Sequence, residues 1–247
     1  MNLMKSIVGR EPKPHHAIFV TFTRLLLCAY EAKERACRTP TVGAQADAAV
    51  AAIMAVASFE AFLNELAEFA LVAEKSDWTR QTAFVAKLKD YASNHAQITR
   101  EQKREQSKAK YQAAASILAG ITPDWGERKN QELALLIRVR DDLIHVKPAD
   151  EFSKLQDGAM SIEAPSRVQE LQRRGLARKR EEMPHAGWFE LVMTPDFGAW
   201  APSVVRSAIS RVLDAFPQDE SSPDIVCFFG SSLRSFSTLL KVNRLSE

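Results

Sequence analysis

Arg140 and His145 are separated by four residues in the string Arg138-Val139-Arg140-Asp141-Asp142-Leu143-Ile144-His145. An arginine supplies a fixed fork of donors for charge developing on an anion, phosphate oxygens above all. A histidine, with an ordinary pKa of about 6.5, takes up or releases a proton near neutral pH. The chemistry of such a pair is proton transfer beside a stabilised anion. The spacing alone is weak, because it recurs at Arg10/His15 and Arg180/His185. Pro12 and Pro14 interrupt the first of these, and Pro184 precedes the histidine of the third, so neither lies on an unbroken helix.

Arg140/His145 has such a helix, read over Glu127–Val146 and ended by Pro148. Leu133, Leu136, Ile137, Leu143 and Ile144 form its apolar stripe, and Arg140 falls in the middle of it. A guanidinium there is costly unless it is paired or faces a cleft or an interface. Arg138, Asp141, Asp142 and His145 lie on the more polar side. His145 is offset from Arg140 by about 140° on a regular helix, so the two can flank one cleft without stacking. The plainer reading makes Arg140 a core arginine paired with a carboxylate, and His145 a helix-end residue on the dipole. Glu60 is the candidate carboxylate. It borders an apolar stripe within Ser58-Phe59-Glu60-Ala61-Phe62-Leu63-Asn64-Glu65, with Asn64 one turn later on the same side.

Other chemistries lack their residues. There is no Gly-rich phosphate loop, no His-Glu-x-x-His helix and no nucleophile elbow. His15 and His16 have no acidic cluster nearby, and Gly230-Ser231-Ser232 is not followed by the paired aspartates of a nucleotidyltransferase. No metal or cofactor is therefore expected. Cys28, Cys37 and Cys227 show no ligand spacing and suit buried free thiols in a reducing compartment. The basic run Arg173–Arg180 is followed at once by Glu181 and Glu182, which favours a solvated loop over a phosphate-tracking patch.

The elements that position these residues are helices. The chain has 247 residues, 46% hydrophobic and 26% charged, with 9 glycines and a formal charge of +2. That is enough to bury a core, and too little charge to announce a nucleic-acid partner by itself. Helical spacing is read over His15–Arg38, over Gly43–Lys75, from near Asp77, over Tyr111–Ala119 and over Pro195–Phe216. The polar stretch Thr99–Lys110 reads equally as a helix extension or a loop. Met160–Glu163 and Trp188–Met193 are β-compatible and are expected to pair as a small hairpin. No stretch is expected to approach the roughly 20 apolar residues of a membrane span, and Pro12 and Pro14 interrupt the N-terminus too early for a signal peptide. The expectation is a cytoplasmic, mainly α helical bundle. Its parts are an arm over 1–14, a domain over 15–216 with an insertion over 149–194, and a packed extension over 217–247.

Three stretches carry a resemblance to the HEPN superfamily (higher eukaryotes and prokaryotes nucleotide-binding domains). They are Ser58–Glu65 on a long helix, Ile137–Pro148 at a helix end, and Thr194-Pro195 leading to Trp200-Ala201. The middle stretch is the most specific, resembling the family's arginine, polar residue, short apolar run and histidine. The resemblance spans roughly 15–216. It implies a homodimeric, metal-independent ribonuclease acting as a toxin or antiviral effector, with an antitoxin or defence partner. Arg140 and His145 would then be the active pair, with Asp141 the residue after the arginine, usually asparagine in the family. Glu60 joins the site as the arginine's partner on grounds of charge rather than of the resemblance. Arg138 and Lys147 would hold the RNA backbone, and neither DNA nor a membrane is an expected partner. The alternative is a non-catalytic helical module that dimerises or binds a nucleotide or partner. Asp141 and the near-neutral charge favour that alternative.

Overall fold

The computed structural model describes residues 21–38, 42–75, 83–101, 105–145, 154–156, 159–161, 166–183 and 186–214. The expected arm over 1–14, the C-terminal extension over 217–247, Lys147, His15, His185 and Cys227 lie outside them. The described chain is mainly helical, as the spacing of its apolar residues implies. Its helices are α1 (Thr21–Arg38), α2 (Val42–Lys75), α3 (Ala83–Glu101), α4 (Gln106–Ala113), α5 (Arg128–Ile144), α6 (Ser166–Arg173), α7 (Trp188–Val192) and α8 (Pro195–Asp214).

Helix α2 is the centre of the bundle, packing on α1, α3, α5 and α8. Val56, Phe59, Leu63 and Leu66 recur at three- and four-residue steps and are fully buried. Its alanines let neighbours approach closely. A Cβ added to Gly198 of α8 would stand 3.1 Å from the Ala48 Cα, so a side chain there would crowd the close α2–α8 crossing. The start of α1 is tied to α2 by two polar links. Ser58 Oγ donates to the Phe22 carbonyl at 2.6 Å, and the Phe22 N–H donates to Glu65 Oε1 at 3.2 Å. Over Gly43–Ala70, α2 is long and apolar enough to cross a membrane, which overturns the expectation that no stretch would approach that length. Half of this apolar window is buried within the bundle, which gives its alanines and aromatics a packing role.

Other differences from the sequence reading have local causes. Helix α4 begins at Gln106 and continues through a π-helical turn over Ala114–Leu118, stopped by Gly120 at φ 67°. Tyr111, expected to start a helix, is therefore in mid-helix, buried against Phe59 with ring centroids 5.5 Å apart. The expected hairpin partner Trp188–Met193 is instead mostly helix α7. Trp188, Leu191 and Val192 are buried at i, i+3 and i+4, a pattern no strand would bury on one side. Strand β2 (Ala159–Ser161) pairs antiparallel with β1 (Lys154–Gln156), Leu155 opposite Met160. Cys28 and Cys37 are exposed free thiols on α1 rather than buried ones, because Phe22, Leu26, Ala29 and Ala36 take its inner face.

Candidate functional site

Helix α5 forms because Leu133, Leu136, Ile137 and Val139 bury one broad face in the bundle. Its start is held by Asn130, whose amide donates to the Asp124 carbonyl at 2.7 Å and whose Oδ1 accepts from Arg211 at 2.9 Å. Its end is closed by His145, whose N–H donates to the Asp141 carbonyl at 2.9 Å. Exposure rises through the last turn. Ile144 is 49% exposed, so the apolar stripe drawn through it in the sequence ends at Leu143.

Arg140 is where the buried face gives way to solvent, its side chain 15% exposed. Glu60 of α2 reaches across and pairs with its Nη2, as its position beside the α2 stripe foretells. Glu60 Oε1 also accepts from the Ser107 hydroxyl of α4 at 2.5 Å. Asp141 Oδ1 stands 3.2 Å from Arg140 Nε, a charge contact that lacks hydrogen-bond geometry. Burial pushes the Asp141 carboxyl above the usual aspartate value and Glu60 pushes the same way, while Arg140 and His145 pull it down. These groups open on a cleft of about 320 Å³ between α2, α4 and α5, lined also by Asn64, Lys110 and Ile137.

Of the residues singled out in the sequence, Glu60, Arg140 and Asp141 therefore meet in one cleft. His145 is exposed at the helix end and is not among the residues lining it. Arg138 is exposed, its Nε donating back to the Ala134 carbonyl of its own helix at 3.3 Å. Asp142 turns away to pair with Arg167 of α6. The first two arginines of the basic run are engaged by acids. Arg174 pairs with Glu170 at 2.7 Å and Glu132 at 3.2 Å, and Arg173 with Glu170 at 2.6 Å. Arg173 ends helix α6, and Arg178 and Lys179 beyond it are exposed.

Sequence reasoning missed the wall that α4 contributes and the α3 histidine behind it. Lys110 Nζ donates to Asn64 Oδ1 at 3.1 Å, and His95 Nε2 lies 2.8 Å from the same oxygen. Burial, reinforced by the Lys110 charge, lowers the His95 pKa to about 4, so the ring is neutral at pH 7. Glu105, which opens α4, has φ 56°, a left-handed conformation unusual for a residue with a side chain. The only sequence signal for this wall was the polarity of Thr99–Lys110. Compared with protein-family models, curated proteins and solved structures, the chain matches none.

Proposed function

We propose that this chain is an endoribonuclease of the HEPN type, working without a metal, as a cytoplasmic homodimer in a toxin or antiviral role. The observation that supports it is the guanidinium of Arg140, fixed at the mouth of a cleft by Glu60, with His145 on the exposed end of the same helix. RNA brings its own nucleophile, the 2′-OH. His145 takes the 2′-OH proton as the 2′ oxygen bonds to phosphorus. The bond from phosphorus to the 5′ oxygen breaks, and a protonated imidazole returns a proton to that leaving oxygen. The products are a 2′,3′-cyclic phosphate and a 5′-OH. Arg140 stabilises the charge on the non-bridging oxygens. Because His145 does not line the cleft of its own chain, a second copy of α5 is needed to bring an imidazole to Arg140. Arg138 and Lys147 are assigned to the backbone on either side.

Incubation of pure protein with mixed RNA in EDTA, followed on a gel, tests the reading. Cleavage by the wild type and none by Arg140→Ala or His145→Ala supports it. A second reading has its own observation: Arg140 faces two carboxylates, Glu60 and Asp141, which leaves less of its charge for a phosphate. Binding of a partner or nucleotide with no cleavage under any condition would favour that non-catalytic module.

A further inference from the structure

Of the two cations that line the cleft, Arg140 and Lys110, only Arg140 is in contact with carboxylates. Its partners are Glu60 and Asp141, and the nearby Lys108, which does not line the cleft, has Glu105 at 3.0 Å. Lys110 makes no ion pair among the described residues; its Nζ is held instead by the neutral oxygen of Asn64. An ammonium donates only, so the oxygen of the Asn64 amide is the atom turned toward it. His95 Nε2 must then carry a proton to share that oxygen, which a neutral ring does as its Nε2–H tautomer. Asn64 is thus oriented by two donors from two different helices, and its NH2 makes no hydrogen bond among the described residues. Burial depresses the Lys110 pKa, with Glu60 offsetting part of the effect. A partly desolvated cation without a carboxylate is stabilised by an incoming anion.

We propose that Lys110, set in place by Asn64 and His95, is the principal phosphate-contacting cation of the Arg140 cleft, with the Asn64 amide as its neutral companion donor. The ligand class is the phosphodiester of single-stranded RNA. Arg140 then serves the reacting phosphate of the same strand, and Lys110 grips a neighbouring one. His95 touches no ligand and is a positioning residue. This assignment rests on the reading of the cleft as an RNA site.

The test is fluorescence anisotropy with a short single-stranded RNA 2′-O-methylated throughout, which binds without being cut, titrated at several salt concentrations. Lys110→Ala weakens binding about tenfold and makes the slope of log K against log salt shallower by about 0.7, one phosphate's share on a single strand. Lys110→Arg restores the slope. His95→Ala weakens binding with the salt slope unchanged, as loss of positioning rather than of charge requires. Lys110 is only partly buried, so its variants are expected to stay folded, which circular dichroism checks. Equal affinity and slope for wild type and Lys110→Ala overturn the assignment, even if unmodified RNA is still cleaved and the ribonuclease reading stands. Binding that depends on Lys110 without cleavage of unmodified RNA supports the contact and removes the catalysis. A wild type that neither binds nor cleaves RNA overturns both.

Discussion

Glu60 and Arg140, 80 residues apart in sequence, meet across the α2–α5 contact, with the Ser107 hydroxyl donating to the same carboxylate oxygen. The pair is partly buried, the two side chains 34% and 15% exposed. Removing one partner strands the other at the bundle edge, and solvent at Glu60 softens that penalty below the value for a fully buried pair. Glu60→Leu and Arg140→Met are each expected to lower unfolding free energy by about 1–3 kcal/mol. Glu60→Leu with Arg140→Met should recover most of the loss in stability and none of the activity. Denaturant unfolding of the four corners of the cycle measures the coupling. Additivity within about 0.5 kcal/mol shows that the contact carries no energy.

Activity separates Arg140 and His145 from the other histidines at the same spacing. Arg140→Ala and His145→Ala should each lower RNA cleavage in EDTA by about a hundredfold or more. His15→Ala and His185→Ala should leave it within a factor of about two. Loss of activity in His185→Ala with retention in His145→Ala means that the working pair is Arg180/His185.

The Glu60–Arg140 contact was legible in sequence because burying an arginine is costly. A charged residue on an apolar stripe asks for a partner, and few carboxylates sat beside a core-facing stripe. The helices were legible for the same kind of reason, since Val56, Phe59, Leu63 and Leu66 repeat at the helical period whatever surrounds them. The Lys110 wall was not. Its residues are spread over α2, α3 and α4, and Thr99–Lys110 shows only polarity, which a loop and a solvated helix share. The helix at Trp188 was missed because five residues, apolar but for Glu190, are too few to separate the two periods. Only its packing, with Trp188, Leu191 and Val192 all buried, decides between them.

A homodimer is expected, and α2 offers a surface for it. Ala46 and Val50 are exposed and Ile53, Met54 and Ala57 half-exposed, so the solvent side of the helix before Glu60 is apolar. Ile144 of α5 is exposed as well. Light scattering should give twice the monomer mass at concentrations on the order of tens of micromolar. Val50→Glu and Ile144→Glu should shift the protein toward monomer, by about tenfold in dissociation constant or more. A wild-type monomer under these conditions removes the shared cleft, and with it the route by which His145 reaches Arg140.

Glu65 gives a pH dependence whose sign can be stated in advance. Its carboxyl is 4% exposed and burial raises its pKa from 4.5 to about 7, against the pull of hydrogen bonds from Phe22 and Thr21. The folded state therefore holds a proton that the unfolded chain releases earlier. The stabilisation is complete below pH 4.5 and is lost as pH rises toward about 7, amounting to about 3 kcal/mol by linkage. Glu65→Gln keeps an oxygen for the Phe22 N–H and removes the titration. The difference in unfolding free energy between wild type and Glu65→Gln should thus move in the variant's favour between pH 5 and pH 8. Urea melts at those two pH values measure it. A difference that stays flat across the range means that Glu65 titrates in the folded protein as it does in the unfolded chain, and that its buried position is offset by partners beyond Phe22 and Thr21.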